Sequence, residues 1–217
     1  MSRLYVLVEG QTEEAFVNEL LVPHYARREL YLFPIIVRTS PGYKGGVVSY
    51  AKIKPQLEKL CKQHASAHVT TMFDLYALPT DFPGRNSADY PRQGSGHDKA
   101  VFLEQALAQD IDRRQFIPHL LVHEFEALLF AGLQAFETWT DDDSVLEPLR
   151  QVHKNTEPED INDGPNTAPS KRILAAMADY QKPLHGPLIA CDIGLDAIRA
   201  SCPHFSGWLG KIEALAL

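Results

Sequence analysis

Three short apolar runs rich in β-forming residues each end in an acid, and this pairing constrains the fold more than any other feature of the chain. Arg3 to Val8 runs into Glu9, His68 to Phe73 into Asp74, and Phe116 to Val122 into His123 and Glu124. Continuous runs of this length read as buried strands. The stretches between them carry a helical period. Phe16, Val17, Leu20 and Leu21 form one apolar stripe, with Thr12 as N-cap, Glu13 and Glu14 at the positive end of the helix dipole, and Pro23 ending or kinking it. A second strand is expected at Leu32 to Arg38, then a loop from Thr39 to Gly46 and a helix from about Val48 to Gln63. A long loop from Pro79 to His97 precedes Leu103, Ala106, Leu107 and Ile111, again at helical spacing. Strands alternating with helices in this way predict βαβ units and a mainly parallel sheet.

Beyond Glu124 the strand signal stops. Helices are expected at Glu126 to Phe130, Ser144 to Val152, Ser170 to Tyr180, Pro187 to Arg199 and Pro203 to Leu215, with Pro187 and Pro203 as first-turn prolines. Trp139, Phe205 and Trp208 should pack this cap, and Cys202-Pro203-His204 should open its last helix. The expected class is α/β, with a mainly parallel sheet flanked by helices and a C-terminal helical cap. Residues 1–130 form the α/β part and residues 131–217 a helical extension packed on the same domain. A chain of 217 residues can bury roughly 70% of its unfolded surface, so no disulfide or metal staple is required. Its three cysteines form no CxxC pair, which argues against a disulfide framework and a cysteine-rich zinc site. The first strand reaches Glu9 after five apolar residues, too few for a secretory core, and no stretch approaches the ~20 apolar residues of a membrane span. A cytoplasmic protein without a membrane partner is expected.

The net charge of −7 argues at first against nucleic acid as a partner, because phosphate contacts need Lys and Arg. The distribution of that charge reopens the possibility. Nine acids and two basic residues lie between Glu137 and Asp163, so the rest of the chain is neutral. Basic pairs such as Arg27-Arg28, Arg113-Arg114 and Lys171-Arg172 leave room for positive patches, although such pairs commonly mark solvated helix faces.

In a parallel α/β sheet, ligands bind at the carboxyl ends of the strands. Glu9, Glu13, Asp74, Glu124 and Glu126 all fall there. Two unit charges about 4 Å apart repel by ~4 kcal/mol at an effective dielectric near 20, and a bound cation removes that cost. Oxygen-only ligands select Mg²⁺ or Mn²⁺ over zinc, and paired hard cations suit phosphodiester hydrolysis. Each acid alone also has a structural reading: Glu13 satisfies a helix dipole, Glu124 opens a helix and Asp74 caps a turn. A zinc site from His119, His123 and Glu124 is the weaker alternative, for want of a further ligand at suitable spacing. No GxxxxGK[ST], GxSxG or HExxH is present, so the chain is not itself a P-loop ATPase.

Five blocks carry a resemblance. They are Val8-Glu9-Gly10-Gln11-Thr12-Glu13, Phe73-Asp74-Leu75-Tyr76 running on to Gly84, His123-Glu124-Phe125-Glu126 running on to Phe130, Thr167 to Ile173, and Ile193 to Arg199 continuing into Cys202-Pro203-His204-Phe205. Together they resemble a bacterial domain-of-unknown-function family with a Toprim-like fold. Its genes often neighbour ATPases of the ABC or SMC type, which suggests kinship with the Toprim nucleases of the overcoming-lysogenization-defect class. The resemblance implies Glu9 as the catalytic glutamate after the first strand, Asp74 as the first Asp of an Asp-x-Asp, and Glu13, Glu124 and Glu126 as further metal ligands. It implies Lys171 as the lysine that neutralises transition-state charge, with Asp81 a weaker site candidate. Tyr76 replaces the second Asp, which weakens a topoisomerase or primase reading. Two functions therefore stand side by side. One is a Mg²⁺- or Mn²⁺-dependent nuclease of a defence or repair system, acting on DNA or RNA with an ATPase partner. The other is a catalytically weak module that binds the ATPase or nucleic acid. A homo-oligomer is compatible with either.

Overall fold

A computed structural model of the chain describes residues 2–40, 43–44, 49–64, 66–76, 78–161, 164 and 166–216. Strand β1 (Ser2–Val8) leads into helix α1 (Gln11–Phe16), which continues through a π turn (Val17–Leu21) into α2 (Val22–Ala26). Pro23 neither ends nor breaks this rod. It falls in the first turn of α2, after the widened turn, where its missing N–H and fixed φ are tolerated. Next come β2 (Leu30–Ile36), a small hairpin of β3 (Arg38–Ser40) and β4 (Tyr43–Lys44), and α3 (Tyr50–Gln63). Of the loop expected from Thr39 to Gly46, residues 39–40 and 43–44 belong to this hairpin, and the other four positions lie outside the described residues.

Strand β5 (His68–Asp74) pairs parallel with β1 on the side opposite β2. Helix α4 (Gly96–Ile111) carries the chain to β6 (Phe116–Ile117) and β7 (Leu120–Leu121), both parallel to β5. The single strand expected over Phe116 to Val122 is thus two short pieces flanking Pro118, which cannot donate a ladder hydrogen bond. The sheet order is β2-β1-β5-β6, with β7 also on β5.

The remaining elements are helical: 3₁₀ segments at Phe125–Ala131 and Leu133–Thr138, α5 (Asp143–Asn155), a 3₁₀ turn at Pro158–Asp160, α6 (Pro169–Ala176), α7 (Lys182–Ile193), α8 (Leu195–Ser201) and α9 (Pro203–Glu213). The helix expected from Pro187 to Arg199 differs at both ends. It starts five residues earlier, at Lys182, and breaks at Gly194, whose φ of +83° suits glycine.

Alternation along the strands divides the core in two. Leu4, Val6 and Val8 face α1, α2 and the C-terminal helices, where Phe16, Phe125, Ile189, Phe205 and Trp208 are buried with them. Leu7, Val69 and Phe73 face Ile53 and Leu57 of α3 and Leu103 and Leu107 of α4. The chain is therefore α/β, a parallel sheet covered by helices on both faces, with the C-terminal helices sharing one core with the first face. No described helix is long and apolar enough to cross a membrane.

Candidate functional site

Strand order reverses between β1 and β5, and the acids gather at that switch point. Glu9 follows β1 and Asp74 ends β5; the Asp74 amide donates to Glu9 Oε2 at 3.3 Å. Gly10 caps α1, and its N–H donates to Glu13 Oε2 at 2.9 Å, which turns the Glu13 carboxylate back toward the strand ends. Asp74 Oδ1 accepts from the Phe125 amide at 2.9 Å, fixing the 3₁₀ segment that carries Glu126. Into this group reaches Lys182 from the first turn of α7. Its Nζ lies 2.9 Å from Glu126 Oε2, 3.1 Å from Asp74 Oδ2 and 4.0 Å from Glu13 Oε1. Tyr180 donates its hydroxyl to Glu126 Oε1 at 3.5 Å. A cavity of about 250 Å³, lined by Glu9, Glu13, Asp74 and Lys182 among others, opens on the cluster.

Helix α7 reaches the acids because Gly186 lets it approach. A Cβ there would stand 3.0 Å from the Phe125 ring and 3.1 Å from the Tyr180 hydroxyl.

One ammonium does not balance these carboxylates. Burial, reinforced by Asp74, pushes Glu13 up to about 7, against the opposing pull of Lys182. Burial likewise pushes Glu126 up to about 7, although Lys182 pulls the other way. Burial alone would lower the Lys182 ammonium, but Asp74, Glu126 and Glu13 more than offset it and hold the group charged. The cluster thus keeps a deficit of positive charge that protons or a further cation can fill.

Of the acids expected at the strand ends, the structure brings Glu9, Glu13, Asp74 and Glu126 together. Glu124 is buried beside them but engaged elsewhere: its two oxygens accept from the Ser170 amide at 2.6 Å and the Ser170 hydroxyl at 3.0 Å, at the start of α6. Lys171, next in that helix, is exposed and makes no ion pair among the described residues. The lysine among the acids is Lys182, which reasoning from sequence missed. The signal for it is Lys182-Pro183: a proline in the first turn announces a helix there, whereas the sequence reading gives that role to Pro187. Tyr76 is half exposed, so the missing second Asp leaves no buried gap. Asp81 caps α3, accepting from the Tyr50 and Ala51 amides, and does not join the cluster.

The histidines regroup as well. His119 does not pair with His123 and Glu124. It lies between β6 and β7 with Glu104 of α4 and His204 of α9, the one group of possible metal ligands among the described residues whose ligand atoms all fall within 4.8 Å. This buried group is able to hold a metal ion. His97, the last residue of the loop expected from Pro79, lies in the first turn of α4 and stands edge-on to His204. Phe205 and Trp208 are buried in the cap as expected.

No curated protein and no solved structure matches the chain. A family model does, over residues 8–213, nearly the whole length. It covers every residue of the four-acid cluster and Lys182, and on that match the chain belongs to the family described as Domain of unknown function (DUF4276).

Proposed function

We propose that the four-acid cluster is the active site of a Mg²⁺- or Mn²⁺-dependent phosphodiester hydrolase of Toprim type acting on nucleic acid. The observation that carries this reading is the convergence of Glu9, Glu13, Asp74 and Glu126 at the switch point of a parallel sheet, with the single ammonium of Lys182 set among them. The donor set is all oxygen, as the ion requires, and the one ammonium of Lys182 does not balance the four carboxylates. When bound, such an ion supplies Lewis acidity and a nucleophilic water at neutral pH. The chain's own residues do the rest. Glu9 and Asp74, joined through the Asp74 amide, fix the mouth, and Glu13 is turned into it by the Gly10 amide. Glu126 tethers Lys182, whose side chain is one-third exposed and so reaches a phosphate oxygen at the cavity mouth. The partner implied by the resemblance is an ABC- or SMC-type ATPase, and the exposed Asp141, Asp142 and Asp143 offer it an acidic surface.

One observation favours the second reading, a binding module without catalysis: Lys182 already occupies the centre of the acids. Cleavage of single- and double-stranded DNA and RNA with Mg²⁺ or Mn²⁺, with and without the neighbouring ATPase, decides between the two. The hydrolase reading expects metal-dependent cleavage that Glu9→Gln and Asp74→Asn abolish. Absence of cleavage under every condition, with the fold intact, supports the module.

A further inference from the structure

At the lateral edge of the sheet, in a cavity that shares no lining residue with the acid cluster, Glu104, His119 and His204 meet. We propose that these three residues bind one divalent transition-metal ion of the zinc class, leaving an open coordination position toward that cavity. Glu104 Oε1 lies 2.8 Å from His204 Nε2 and 3.4 Å from His119 Nδ1. An ion between the same atoms takes the place of the hydrogen bond between His204 and Glu104, and the proton of that bond moves to the other ring nitrogen or to solvent. Two imidazoles and one carboxylate form a donor set that selects zinc over the hard, all-oxygen Mg²⁺.

The ligands come from two helices, α4 and α9, and the link between β6 and β7, and each is held by its own contacts. The Leu120 amide donates to Glu104 Oε1 at 2.9 Å. The His119 amide donates to Thr71 Oγ1 at 3.0 Å, and Thr71 Oγ1 donates back to the His119 carbonyl at 2.9 Å, tying the residue to β5. Trp208 stacks on the His119 ring at 4.4 Å and 7°, and donates its indole N–H to Thr70 Oγ1. Glu159 accepts the His204 and Phe205 amides at 2.8 and 2.9 Å, which anchors the start of α9. Such outer contacts orient ligands before the ion arrives. The cavity, about 420 Å³, also has His97 and Lys211 in its wall, so a small anion would complete the coordination. Three protein ligands with an open, cavity-facing position are the arrangement of catalytic rather than structural zinc.

The test is titration of the metal-free full chain with Co²⁺ in the presence of excess Mg²⁺, read by visible absorption. One equivalent should give the intense band of four- or five-coordinate cobalt, displaced by Zn²⁺ and shifted by azide. His204→Gln and Glu104→Gln should each weaken binding by more than the roughly 10–100-fold that loss of an outer contact alone costs, whereas Asp74→Asn should leave the band unchanged. Where a variant fails to fold, X-ray absorption at the zinc edge of the wild-type protein decides, two imidazoles per zinc being expected. A six-coordinate all-oxygen spectrum, a band unaltered in folded His204→Gln, or no binding by the folded wild-type chain would overturn the assignment.

Discussion

Lys182 Nζ stands 2.9 Å from Glu126 Oε2, and this pair joins the C-terminal helices to the mouth of the sheet. Glu126 is fully buried and Lys182 is not, so the lysine is the movable member. Removing one partner of a buried pair leaves an uncompensated charge, at a cost of about 3–5 kcal/mol. Lys182→Met should therefore lower the melting temperature strongly at pH 8 and much less at pH 5, where Glu13 and Glu126 take up protons instead. The double variant with Glu126→Gln should recover part of the loss. Equal losses at both pH values would show that Lys182 contributes by packing alone.

The acids cost stability as pH rises from mildly acid to neutral. Glu13 and Glu126 have folded values near 7, above the ordinary 4.5, so the folded state binds more protons than the unfolded one between those values. Stability must fall as pH rises through that window, by roughly 2–3 kcal/mol for each group, and level off above it. Glu104 and His119 act with the opposite sign, His119 over a window that overlaps that of the two glutamates. Hydrogen bonds from His119 and His204 overcome burial and hold Glu104 down to about 2, and burial holds His119 down to about 4. Their contributions are lost as pH falls, that of His119 between about 6.5 and 4 and that of Glu104 between about 4.5 and 2. Chemical denaturation across pH should show Glu126→Gln losing less stability than wild type between about pH 4.5 and 7, with the fall in stability below about pH 4 unchanged.

Glu9→Gln and Asp74→Asn should remove cleavage without unfolding the chain. Asparagine keeps the oxygen that accepts from the Phe125 amide, Lys182 keeps its pair with Glu126 when the Asp74 charge is lost, and either change relieves repulsion between acids. Melting temperatures at or above wild type together with lost activity are the expected pair of results. Full activity in both variants would remove these residues from the catalytic assignment.

Gly186→Val should separate α7 from the acids. The added side chain meets the Phe125 ring and the Tyr180 hydroxyl within about 3 Å, so a cost of about 1–3 kcal/mol is expected. Lys182 shifts with its helix, and the dependence of stability on pH should then resemble that of Lys182→Met. A Gly186→Val protein with an unaltered pH profile would show that the helix can yield without moving its first turn.

Much of this arrangement is legible in the sequence. Glu9, Glu13, Asp74 and Glu126 each close a strand or open a helical segment, so period and punctuation alone place them on one edge. Lys182 is not legible in the same way, because its partners lie 56 or more positions away in sequence and two prolines, Pro183 and Pro187, compete as the start of its helix. Glu104, His119 and His204 share no local pattern at all; only the packing of α4 and α9 against the edge strand brings them together. The split of that strand at Pro118 and the break at Gly194 are local events, caused by residues whose backbone chemistry is plain from their identity.

Whether the four acids hold a divalent cation is measured directly by Mn²⁺ binding followed by electron paramagnetic resonance. With the Glu104 group saturated by zinc, the wild-type chain should bind Mn²⁺ at pH 8 and more weakly at pH 6, because Glu13 and Glu126 must release protons. Lys182→Met should bind more tightly than wild type, and Asp74→Asn should lose most of the affinity. Mn²⁺ binding that is the same in wild type, Asp74→Asn and Lys182→Met would show that the ion does not sit among these acids.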